Sequence, residues 1–266
     1  MKIFRKEKQR IIPVLVGIGY FILFYILARF YYNNNMIISV NNVTRDNILI
    51  KLAGDYLIML LLPTLIIIIN RKKLKDFKLK YTSKKEIYIL SIILIIFFFL
   101  HNDYSITGFY KFFFYLIVVS FGEEFIYRGY IYNKLKEKSV IQAIIISGML
   151  WGVNHAILPS IIDNSNIFKG MLYEIGGGIL SGWYFIFIQE KSGTLWIPIL
   201  IHALLDYSYM FFGPLVAIVT LIYYIKLSKN LKQKDTEPFP HTDIENREQE
   251  LYDEIKNKDL CNSIFL

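Results

Sequence analysis

Residues 112–130 read FFFYLIVVSFGEEFIYRGY, an apolar and aromatic run into which Glu123, Glu124 and Arg128 are set. A charge inside a bilayer span costs about 2.5–3.5 kcal/mol on insertion scales, so three of them must face a protein interior and find partners there. Glu124 and Arg128 are four residues apart and share a helix face in the favourable acid-before-base order. Glu123 lies about 100° around the helix from Glu124. Its carboxylate therefore needs a partner from another helix.

The rest of the 266-residue chain fits a membrane setting. It is 55% hydrophobic, with a mean hydropathy of +0.40 and a pI near 9.2. That is too apolar for a soluble nucleic-acid binder despite a net charge of +8, and the charge belongs to the loops. Apolar stretches at 11–32, 48–69, 86–100, 109–132, 140–158, 168–188, 195–209 and 211–227 predict about eight transmembrane helices in an all-α polytopic fold. The third, seventh and eighth are short for the hydrocarbon core and suggest tilt or cover by neighbours.

Basic residues set the expected orientation. Lys2, Arg5, Lys6, Lys8 and Arg10 precede the first span, and Arg71, Lys72, Lys73, Lys75, Lys78, Lys80, Lys84 and Lys85 follow the second. The positive-inside rule places both flanks, and both termini, in the cytoplasm. The first stretch is too long for a signal peptide and lacks a small-x-small cleavage site, so it reads as an uncleaved span. Residues 1–227 form the membrane domain, with a motif-bearing core at 109–209, and 228–266 a polar cytosolic tail. Pro238 and Pro240 break the last span, and Thr242 with Glu245 fits the capping box of a short tail helix. Abundant Ile, Asn and Lys point to an AT-rich, bacterial source.

Two further spans carry ionisable groups. Residues 147–155, SGMLWGVNH, place Trp151 one turn before His155. Residues 193–206, GTLWIPILIHALLD, place His202 and Asp206 four apart on one face, with Pro198 loosening the helix. Carboxylates and histidines brought from three helices can activate water, by general-base action or through a metal. The single Cys261 excludes a disulfide framework, a four-cysteine zinc site and a C-x-x-C pair. It stands sixth from the C-terminal end, whereas a prenylation signal needs it fourth. No H-E-x-x-H, G-x-S-x-G, P-loop or G-x-G-x-x-G occurs. Gly178 and Gly182 on the sixth span make a small face suited to close helix packing.

These motifs resemble the CPBP family of intramembrane proteases, also called the CAAX protease and bacteriocin-processing or Abi family. Its pattern is E-E-x-x-x-R, F-x-x-x-H and H-x-x-x-N/D on separate helices. Here the motifs are EEFIYR at 123–128, WGVNH at 151–155 and HALLD at 202–206, with Trp151 as an aromatic replacement for phenylalanine. The resemblance implies an eight-helix peptidase with a conical cavity open toward the cytosolic leaflet, acting on a peptide or protein tail there. It implies that Glu123 with His155 polarises the attacking water and that His202 and Asp206 stabilise the oxyanion or complete a metal site. Glu124 and Arg128 would hold the fourth helix, with Glu124 contributing to the site. Two chemistries stay open: protonated His202 as oxyanion donor, or zinc on His155 and His202 with Glu123 and Asp206. The expected partners are a peptide or membrane-protein substrate and membrane lipid, with bacteriocin or pheromone maturation or self-immunity as setting. A non-catalytic immunity protein and, more remotely, a proton-coupled transporter use similar residues.

Overall fold

The computed structural model describes residues 2–80 and 82–236. Among them every regular element is helical. The expected features of the tail, the Thr242–Glu245 cap and Cys261, lie outside the described residues. In chain order the helices are α1 (Lys2–Asn33), α2 (Ile48–Ile69), α3 (Lys85–His101), α4 (106–135), α5 (Val140–Ile162), α6 (Ile167–Ser192), α7 (Trp196–Asp206) and α8 (Phe212–Thr236). The chain divides into a unit spanning Met1–Tyr224 and a second spanning Ile225–Leu266, whose described part is the end of α8.

Among the described residues five helices are long and apolar enough to cross a membrane: Ile11–Asn33, Ile48–Ile69, Val140–Ile162, Ile167–Ser192 and Phe212–Asn230. The expected third, fourth and seventh spans are not among them: they are the 17-residue α3, the α4 at 106–135, which alternates between α and π turns, and the 11-residue α7. The α1 helix shows why lipid is its solvent. Ile11, Leu15, Ile18, Ile22 and Ile26 form an exposed apolar stripe, while Tyr20, Phe24, Ala28 and Tyr31 are buried against the bundle. A helix that is apolar on all sides is stable only where the outer face also escapes water.

Proline positions explain the irregular helices. Pro63 has no N–H for the Met59 carbonyl four residues earlier, and α2 is widened into a π-helical turn at Tyr56–Leu60. The Tyr20 hydroxyl donates to that carbonyl at 3.1 Å. Pro159 likewise cannot donate to the His155 carbonyl, and α5 breaks at Ala156, immediately after the histidine. Pro198 behaves differently from the local loosening expected of it. It is the third residue of α7, inside the first turn, where a backbone N–H has no intrahelical acceptor to lose.

The α5–α6 pairing sets one wall of the molecule. A Cβ on Gly178 would lie 2.5 Å from the Gly148 carbonyl oxygen and 2.8 Å from the Gly152 Cα, and one on Gly182 would lie 3.1 Å from the Gly148 Cα. The two helices thus meet backbone to backbone through small residues on both sides, the packing expected for Gly178 and Gly182. Gly193, at φ +71°, ends α6 in a left-handed cap, with its N–H donating to Gln189 at 2.9 Å. The chain then turns straight into α7.

Candidate active site

The fourth helix is not a plain α-helix where its charges lie. Wide π-helical stretches, Phe114–Phe121 and Phe125–Tyr132, flank the short turn Gly122–Glu124. Such turns raise the helix diameter and shift side chains around the axis, and they recur at functional sites. The lower stretch is secured by Asn133, whose Nδ2 donates to the carbonyls of Arg128 at 3.1 Å and Gly129 at 2.9 Å. Gln189 of α6 donates to Asn133 Oδ1 at 3.2 Å.

Glu124 and Arg128 are both fully buried and pair at 3.3 Å, as their spacing predicts. The guanidinium also lies 5.3 Å from the Trp151 ring centre and 5.2 Å from that of Phe185. Among the described residues its nitrogens make no hydrogen bond. Two aromatic faces and one carboxylate therefore hold this charge, an arrangement suited to the weakly hydrated guanidinium.

Glu124 also reaches a second helix. Its Oε1 lies 2.9 Å from His202 Nδ1, so the same oxygen serves Arg128 and the histidine. The other ring nitrogen, Nε2, is 3.5 Å from Asp206 Oδ2. His202 is thus fixed between two carboxylates, and the Phe185 ring stacks on it at 5.1 Å. The local His202–Asp206 pair is as expected; the bond to Glu124 crosses 78 residues of sequence.

Glu123 finds its partner on α5, as its unpaired spacing requires. The Trp151 indole N–H donates to Glu123 Oε2 in a short, charge-assisted bond. The Trp151 ring lies 4.6 Å from the His155 ring. Glu123 and His155, expected to act as a pair, are joined through this indole. Trp151 is therefore more than an aromatic substitute for phenylalanine: it supplies a donor that phenylalanine lacks.

The structure gathers Glu123, Glu124, Arg128, Trp151, His155, His202 and Asp206 from α4, α5 and α7 into one site. Phe185 joins them unannounced, since nothing in the apolar α6 sequence separates it from its neighbours. As a metal centre the arrangement fits poorly. Among the described residues no three His, Cys, Asp or Glu side chains gather where one cation could be held. Glu124 Oε1 is already shared between the Arg128 ion pair and the His202 hydrogen bond, and Glu123 Oε2 accepts from Trp151.

No curated protein and no solved structure matches the chain. Residues 105–208 match the model of a family described as type II CAAX prenyl endopeptidase Rce1-like. That segment holds every one of the seven motif residues, and the match is consistent with the resemblance to the CPBP family of intramembrane proteases.

Proposed function

We propose that the protein is an endopeptidase of a bacterial cell membrane in which Glu123 activates a water to hydrolyse a peptide bond. The observation that carries this reading is the placement of Glu123: a carboxylate held by the Trp151 indole, next to a histidine fixed between Glu124 and Asp206. Glu123 takes a proton from water as the water oxygen attacks the carbonyl carbon. It returns that proton to the leaving amine as the C–N bond breaks. His155, one turn beyond Trp151, borders the water.

His202 supplies the complementary half. Donation from Nδ1 to Glu124 fixes the ring, and a proton on Nε2 meets the negative charge that develops on the carbonyl oxygen. Removing one oxyanion donor lowers kcat by about 10²–10³ in a serine protease, and a loss of that order is expected here. Arg128 holds Glu124 in place without touching substrate.

The substrate class is a peptide or membrane-protein segment, with bacteriocin or pheromone maturation or self-immunity as the setting, the last by family analogy. The test is a survey of peptide and protein termini in cells carrying the native protein or Glu123→Gln at equal membrane abundance. A terminus made only with the native protein supports the reading and names the substrate. Identical termini, with a phenotype retained by both forms, refute it and favour a non-catalytic immunity protein.

A further inference from the structure

The second helix carries two ionisable residues that the catalytic reading leaves unused. Lys51 and Asp55, four apart, interrupt the apolar span Ile48–Ile69. Both are buried, at 8% and 9% exposure. A charged group at membrane depth is costly to insert and is a sign of a functional site. Lys51 Nζ donates to Asp55 Oδ1 at 2.6 Å, and the Tyr110 hydroxyl of α4 donates to Asp55 Oδ2 at 2.8 Å. Asp55 is thus fixed from two helices. Of the three N–H groups of Lys51, Asp55 takes one, and the Phe114 ring centre lies 4.5 Å from the ammonium. The ammonium therefore keeps donors for a ligand.

The pair lines a cavity of about 910 Å³, a size at the upper end for ligand pockets. One end of the cavity is polar. Asn33, Asn35, Ser39 and Asn42, in and beside the α1–α2 connection, border it there. That rim is held by its own bonds, since Asn47 Nδ2 donates to the Asn42 carbonyl at 2.9 Å and Thr107 to the Val43 carbonyl at 2.6 Å. A preformed rim lowers the ordering cost of binding. Deeper, the walls are Phe24, Ile58, Met59, Phe114 and Leu158, with Lys51 and Asp55 between them and the rim. Ile50 and Ile162 also line the cavity and are 43% and 48% exposed, so its wall runs out onto the apolar outer surface of the bundle.

Depth and polarity together identify the occupant. From Ile48, where α2 begins, to Met59 at the cavity floor is about 16 Å at about 1.5 Å per residue. One leaflet contributes about 15 Å of a hydrocarbon core about 30 Å thick. A peptide segment would need backbone partners along that depth, whereas the helical walls satisfy their own backbone and present apolar side chains. An acyl chain needs only the latter. We infer that the cavity is a binding site for a phospholipid, with its phosphate oxygens on Lys51 Nζ and the rim amides and one acyl chain along Phe24, Ile58 and Phe114.

The site stands apart from the peptidase reading. All but three of its lining residues precede residue 105, where the family match begins. It nevertheless reaches the catalytic helix. The Met59 carbonyl is 3.5 Å from where a Cβ on Gly122 would stand, so the end of the acyl chain lies beside the turn that carries Glu123.

Photolabelling tests it without requiring cleavage. The full-length protein is reconstituted in vesicles of phosphatidylethanolamine and phosphatidylglycerol with a trace of phosphatidylglycerol bearing a diazirine at the end of one acyl chain. It is then irradiated and the adducts are mapped by mass spectrometry. Adducts should concentrate on Ile58, Met59, Phe114 and Leu158, above those on Leu15, Ile18 and Ile22 of the outward α1 stripe, which any bilayer lipid touches. Lys51→Met combined with Asp55→Asn neutralises the pair and keeps an acceptor for Tyr110; it should lower cavity labelling about tenfold, the loss of one charge-assisted bond. Ile162→Trp narrows the cavity without touching the pair and should lower it as well. Unchanged labelling of the α1 stripe shows that each variant is inserted. Diacylglycerol with the same diazirine chain should label the cavity about tenfold less than the phospholipid, since it lacks the phosphate; equal labelling would remove the head group from the site. Excess inorganic phosphate should not compete, and competition would assign the site to free phosphate and overturn the lipid. Cavity adducts no more frequent than those on the α1 stripe, or unchanged in both variants, overturn the inference.

Discussion

Replacing Trp151 by phenylalanine removes one hydrogen-bond donor and leaves a ring in place. The structure gives that donor one task, holding Glu123 Oε2. Hydrogen bonds to a charged group contribute about 1.5–3 kcal/mol, and each 1.36 kcal/mol is tenfold in rate, so the loss is about 10- to 150-fold. Trp151 is only half-buried, so solvent should replace part of the bond in the variant, which favours the lower end. The effect should fall on kcat, because the indole N–H positions the base and does not bind substrate. Phenylalanine keeps a ring against His155 and Arg128, so membrane abundance and thermal stability should change little. Trp151→Leu removes those ring contacts too and should lose activity further, together with some stability. The assay is initial cleavage rate of the substrate found by the terminus survey, in purified membranes at matched protein. Native rates in Trp151→Phe would refute the claim that the indole holds the base. Equal losses in the Phe and Leu variants would assign the effect to the donor alone.

Three other expectations follow from the same geometry. Arg128→Met leaves Glu124 buried without its cation, at a cost of about 3–5 kcal/mol for breaking a buried pair, and should be read as lost accumulation and a lowered melting temperature in detergent. Gly178→Val forces apart helices that meet at backbone distance; cross-linking between cysteines on α5 and α6 should fall, and cleavage with it, whereas Gly176→Val, which has open space at its Cβ, should be tolerated. Asp206→Asn keeps a side-chain oxygen beside His202 Nε2 and should retain most activity, whereas Asp206→Ala removes the group 3.5 Å from that nitrogen and should lose about tenfold, the equivalent of about 1.4 kcal/mol; equal rates in both would remove Asp206 from the site.

Much of the site is legible in the residue pattern. Charges in apolar helices carry their own signal, because the bilayer makes an unpartnered one expensive. Fixed spacings of four residues mark Glu124–Arg128 and His202–Asp206 as pairs, and both pairs form. The isolation of Glu123 at its own spacing correctly demands a partner from another helix. The identity of that partner is hidden, since Trp151 reads in sequence as packing and its N–H is invisible to periodicity. Phe185 is hidden for the same reason, in the unbroken apolar and aromatic stretch WYFIFI at 183–188.

Composition and helical periodicity by themselves determined that this chain is a bundle of membrane helices with ionisable groups turned inward, because the cost of a charge in lipid acts locally on each span. Only the tertiary structure decided that Glu124 bridges Arg128 to His202 and that the indole holds Glu123. Those facts depend on the relative depth and rotation of helices far apart in sequence. That depth and rotation are set by the glycine faces of α5 and α6, the widened turns of α4 and the cap at Gly193, which act between helices and leave no mark in the pattern of any one of them.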